Sequence, residues 1–71
     1  MSDDGAAGLI TALTTHYSRI GGAYIAALRA AGYDDEAIQA DYLKNVRGDA
    51  GQTEEEFLVA LVRRAREVME Q

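Results

Sequence analysis

A chain of 71 residues with no cysteine, no proline, no tryptophan and one histidine excludes several ways of being stable or active. A domain this short buries only about 60% of the surface its unfolded form exposes, and it has neither disulfide staples nor a zinc site of the usual Cys/His kind to compensate. The formal charge of -5, from twelve acidic and seven basic side chains, argues against direct nucleic-acid binding, which works by neutralising phosphates, and favours a protein partner with a basic surface.

Residues 1–8, MSDDGAAG, carry two adjacent aspartates, two glycines and no large apolar residue after the initiator methionine, so they are expected as a flexible lead-in. Asp3 and Asp4 suit the positive end of a helix starting nearby, but Gly5 and Gly8 make that start soft. The segment lacks the basic start of a secretory signal, and nowhere do about eighteen apolar residues run together. The expectation is therefore a cytoplasmic protein with no membrane partner.

From Leu9 the pattern turns helical, with Leu9, Leu13, Tyr17, Ile20, Tyr24, Leu28 and Ala31 spaced by fours and threes. One long first helix over 9–31 fits. Its weak point is Gly21-Gly22, where each glycine costs about 0.8 to 1 kcal/mol relative to alanine. Either the helix runs through, continuous or mildly kinked, or the pair breaks it in two. The apolar phase is the same on both sides of the glycines, which favours the first. Gly22, Ala26 and Ala30 form a small-residue ridge at spacing four, suited either to a close crossing within the chain or to the seam of a homodimer. His16 stands beside Tyr17, yet neighbours on a helix diverge by about 100°, so the two do not converge as a catalytic pair.

Gly32 follows Ala30-Ala31 as a glycine follows a helix C-terminus. Asp34 or Asp35 then offers an N-cap, and Ile38, Tyr42, Leu43 and Val46 form the apolar face of a shorter second helix ending near Arg47. Tyr33 is placed to staple onto Ile38. Asp34, Asp35, Glu36 and Asp41 make an acidic group on this helix, while calcium-loop spacing is absent. A glycine turn between helices invites comparison with a helix-turn-helix, but this second helix would carry carboxylates into a phosphate-lined groove. Residues 47–52, RGDAGQ, are a loop. Its Arg47-Gly48-Asp49 triplet matches a short adhesion motif, and glycine beside aspartate is ordinary turn chemistry.

Residues 53–70 carry the strongest helical signal. Thr53 with Glu56 has the form of a capping box, and Glu54, Glu55 and Glu56 sit at the positive end of the dipole. Phe57, Leu58, Leu61, Val62, Ala65, Val68 and Met69 lie on one face of a 3.6-residue helix, and that face needs a partner. Arg63, Arg64 and Arg66 are expected on a solvated face, pairing with Glu67 and Glu70 one turn on.

No alternation of the strand type persists, so the fold class is all-α, a three-helix arrangement with the first helix kinked or broken, if anywhere, at Gly21-Gly22. The functional expectation is a small acidic helical protein–protein interaction module, a regulator or accessory subunit, forming a homodimer and acting without catalytic residues, cofactor or metal. Its candidate interaction residues are Gly22, Ala26, Ala30, Asp34, Asp35, Glu36 and Asp41. One alternative is an inhibitor that occupies a basic nucleic-acid-binding groove in the manner of phage-encoded antagonists. A second is a helical enzyme subunit with a ligand site at a dimer interface.

Overall fold

The apolar phase shared across residues 9–31 is present in three dimensions, but the helix that carries it is not continuous. The structure, a computed structural model, describes residues 2–71, with side chains from Gly5 onward. Among them are four helices and no strand: α1 (Ser2–His16), α2 (Ser18–Ala30), α3 (Asp35–Asn45) and α4 (Glu54–Met69). The all-α class is as expected, and the expected three helices become four because the first is divided.

The division falls at Tyr17–Ser18, one turn before the glycine pair. Tyr17 leaves helical geometry at φ −119° and ψ 14°, and Ser18 takes φ 28°, a left-handed conformation that a Cβ makes costly. Gly21 explains why the chain turns here. A Cβ on Gly21 would lie 2.1 Å from the carbonyl oxygen of Leu13, so only glycine lets the start of α2 close onto the last turn of α1. The glycine is a place of close approach and the joint lies beside it. The phase survives the break because both halves face one core: Leu13, Tyr24 and Leu28 are buried in it, with Leu9, Tyr17 and Ile20 half-buried against it.

Turning back at residue 17 lays α1 across α2 and α3. The stretch expected as a lead-in is helical from Ser2, Ala6 is fully buried, and a Cβ on Gly5 would stand 3.4 Å from the Gln39 amide nitrogen. Small residues here permit contact with α3, a support that local composition does not reveal. The capping expected of Asp3 or Asp4 falls outside the described side chains.

The α2–α3 turn follows its sequence signals closely. Gly32 takes φ 95°, its N–H donates to the carbonyl of Arg29, and the N–H of Tyr33 donates to that of Leu28, the paired bonds of a Schellman closure. Asp34 then caps α3 by accepting from the Ala37 N–H at 2.8 Å. The loop after α3 is held by Gln52, which accepts from the Gly48 N–H and donates to the Val46 carbonyl. Asp49, the third residue of the adhesion-like triplet, accepts from the Gly51 N–H as an Asx turn does. The capping box forms in full at α4, with Glu56 N–H to the Thr53 hydroxyl at 3.1 Å and Thr53 N–H to the Glu56 carboxylate at 2.9 Å.

Helix α2 packs against all three other helices. Tyr24, Leu28, Ile38 and Leu61 are its fully enclosed large neighbours or members, drawn from α2, α3 and α4. The apolar stripe of α4 is wider than the core it meets. Leu61, Ala65 and Val68 are buried and Phe57 and Leu58 half-buried, whereas Val62 and Met69 stay exposed.

Candidate functional site

Two places among the described residues stand out, one in the core and one on the surface. The first is inside. Asp41 lies on the core face of α3, 7% exposed, where its carboxylate accepts from the Tyr24 hydroxyl at 2.7 Å and from Arg64 Nη2 and Nε at 2.7 and 2.9 Å. Asn45, one turn on, adds a bond to the same carboxylate at 3.2 Å. Three helices are thereby tied at one carboxylate. Burial and the bond to Asp41 push the Tyr24 hydroxyl well above the ordinary tyrosine range, and the bond to Asp41 raises Arg64 further. No buried side-chain polar atom among the described residues lacks a partner. A carboxylate bonded to side chains of α2, α3 and α4 fixes these helices relative to one another.

This corrects two expectations. Asp41 does not stand with Asp34, Asp35 and Glu36 on a presented acidic face. Counting 100° per residue from buried Ile38, Asp41 is only about 60° away, while Leu43 is about 140° away. Leu43 is accordingly 51% exposed. Arg64 likewise leaves the expected solvated face, being about 60° from Leu61 on α4. The pairing signal was visible in each helix separately, but no local rule could join residues 41 and 64.

The rest of the expected acidic group is also engaged. Asp34 caps α3, Asp35 pairs with Arg29 at 3.0 Å, and Glu36 has a partner of its own. The small-residue ridge makes no internal crossing: a Cβ on Gly22 would meet nothing within 4 Å, and Ala26 and Ala30 are exposed. His16 is exposed at the end of α1, its ring 6.5 Å from that of Tyr17. Among the described residues no three metal-ligating side chains converge, and no helix is long and apolar enough to cross a membrane.

The second place is on the surface between α2 and α4. Val62, 41% exposed, and Ile20 line a groove of about 440 Å³ with Leu58 and Val59. It continues past Arg66 into a hollow of about 300 Å³ lined by Ala23, Ala65 and Met69. Met69 at 73% and Val59 at 49% are the outer apolar ends of this strip. Its charged border is Arg19, Arg63 and Arg66, with Glu67 and Glu70 at one side.

Comparison with known proteins yields no relative. No family model matches the chain, and neither a curated protein nor a solved structure is significantly similar to it.

Of the border charges, Glu67 is bonded to Arg64 at 3.3 Å. Arg19, Arg63 and Arg66 enter no ion pair among the described residues. The strip was only half legible in the sequence. Val62 and Met69 were assigned to one stripe with Leu61, and nothing local says that the core stops short of them.

Proposed function

We propose that this chain is a small helical protein-interaction module, a regulator or accessory subunit, that docks on a partner protein through the face between α2 and α4. The reading is supported above all by one observation: Val59, Val62 and Met69 are exposed along an apolar groove that no other described residue covers. Exposed large apolar residues scattered singly need no explanation, whereas residues contiguous with a groove mark an interaction surface. The proposed action is non-enzymatic and needs no cofactor. The interaction is assigned to this face in preference to the acidic group of Asp34, Asp35, Glu36 and Asp41, because Asp41 is buried, Asp34 caps α3 and Asp35 pairs with Arg29.

Affinity capture from extract of the cells that carry the gene, run with the parent and with Val62→Asp, tests this. The parent should retain a stoichiometric protein that Val62→Asp loses while keeping the parent's circular-dichroism spectrum. Equal retention by both would move the interface elsewhere, and recovery of the bait alone across several salt concentrations would defeat the docking reading.

A further inference from the structure

We infer that the occupant of the α2/α4 groove is an amphipathic helix with acidic flanks, its apolar stripe seated on Ile20, Val62 and Met69 and its carboxylates meeting Arg19, Arg63 and Arg66. This deepens the docking reading and depends on it. The preference for a helix follows from what the groove offers. Both walls are helices whose backbone N–H and C=O groups are already bonded internally, so the groove has no strand edge on which an extended segment could complete its own hydrogen bonds. A helical ligand satisfies its backbone by itself and needs only side-chain contacts. From Val59 to Met69 the strip runs ten residues, about 15 Å at 1.5 Å per residue, which matches roughly three turns of a partner helix.

Charge decides the flanks. The chain as a whole is acidic, yet the three arginines bordering this groove enter no ion pair among the described residues, while of the two carboxylates that line it, Glu67 and Glu70, the first is held by Arg64. The carboxylates Glu54, Glu55 and Glu56 open α4 seven or more residues from Arg63 and Arg66, at least about 10 Å away along the helix axis and beyond the roughly 8 Å screening length of physiological salt. Three arginines thus stand against two carboxylates on the border, one of them engaged by Arg64, and the border is net positive. A second copy of this chain is the poorer fit, because a two-fold axis through the strip brings the same arginine border against itself.

Calorimetric titration of the full chain with three synthetic three-turn peptides tests the inference. The peptides share one leucine stripe at i, i+3, i+4 and i+7 and differ only in flanking residues: glutamate, glutamine or lysine. The glutamate peptide should bind about tenfold more tightly than the glutamine peptide, with the lysine peptide weakest. That advantage should shrink between about 0.1 and about 1 M salt as the screening length falls from about 10 to about 3 Å. Arg63→Glu combined with Arg66→Glu should invert the order in favour of lysine, with unchanged helicity. Equal binding of all three peptides, or preference for lysine by the parent, would overturn the acidic assignment and leave the docking face standing, provided Val62→Asp abolishes that binding. No binding by any peptide overturns the inference, and if capture by the parent is also lost the docking reading falls with it. A parent that sediments as a dimer, and becomes monomeric with Val62→Asp, would replace the acidic helix by a second copy.

Discussion

Helix α4 places three arginines within four residues and gives them opposite fates. Arg64 is drawn inward, its guanidinium bonded to Asp41 and Glu67 with 16% of its side chain exposed, while Arg63 and Arg66 border an apolar groove and enter no ion pair among the described residues. Their chemistry is identical and their angular positions differ. Relative to Leu61, Arg64 lies about 60° to one side, whereas Arg63 and Arg66 lie about 160° and 140° away. A shift of one or two residues on a helix separates a tertiary cross-link from a surface available to another molecule.

The largest effect should come from breaking the inner member of this contrast. Asp41→Ala leaves the largely buried Arg64 charge with only the exposed Glu67 as partner and strips the Tyr24 hydroxyl of its acceptor, which should cost up to about 3 to 5 kcal/mol in urea unfolding. Chains below about 80 residues seldom have more than about 3 to 5 kcal/mol from their cores, so this variant should be substantially unfolded. Adding Arg64→Met to Asp41→Ala removes the stranded charge and should restore part of the loss. If the double variant is as unstable as the sum of the singles, the two side chains are not coupled as described.

Leu61→Ala against Val62→Ala sharpens the same comparison between adjacent residues. Leu61 is fully enclosed, and its truncation should cost about 2 to 5 kcal/mol. Val62→Ala should stay within about 0.5 to 1 kcal/mol, since much of its surface is already in water. Thermal melts followed by circular dichroism distinguish the two, and similar costs would mean that the border between core and docking face is misplaced.

A smaller contrast separates the two glycines. Gly21→Ala drives a Cβ against the Leu13 carbonyl and should destabilise by about 1 to 3 kcal/mol, because backbone and not a flexible side chain must yield. Gly22→Ala meets open space within a helix and should stabilise by about 0.5 to 1 kcal/mol. Matching shifts in the two melting temperatures would show that the pair acts as a unit, as a simple weak point in a helix would.

The pH dependence of stability gives the mildest test. Tyr24 and, through burial, Tyr42 have pKa values raised in the folded state, so their neutral forms are favoured by folding. Below the unfolded tyrosine value of about 10 that contribution is complete. Above it the unfolded chain ionises while the folded chain does not, and stability falls with a slope of up to about 1.4 kcal/mol per pH unit for each group. Urea midpoints should therefore drop between about pH 9 and 11, and less steeply in Tyr24→Phe. An unchanged slope in that variant would mean that Tyr24 titrates normally.

Backbone capping and turn signals in this sequence are reliable, whereas the ion pairs expected of Arg63 with Glu67 and Arg66 with Glu70 do not form among the described residues, Glu67 going to Arg64 instead. The capping box at Thr53, the glycine closure at Gly32 and the cap at Asp34 involve residues at most five apart, and all three form. Reading failed where distance along the chain was needed. The joint at Tyr17–Ser18 depends on Gly21 reaching back eight residues to Leu13, and nothing in the residues 17 and 18 themselves announces it. Asp41 has the same side chain as Asp34 and Asp35, and only its phase on α3, about 60° from buried Ile38, sets it apart from them.

The sequence by itself determined the helical class, the turn chemistry and the existence of an apolar stripe on α4, because these follow from periodicity and from backbone groups satisfied within a turn or two. Tertiary structure alone decided that α1 folds back over α3, that Asp41 and Arg64 meet across 23 residues, and that the core ends between Leu61 and Val62. Each of these depends on which helix lies opposite. Burial is a property of two surfaces, and a sequence pattern describes only one of them.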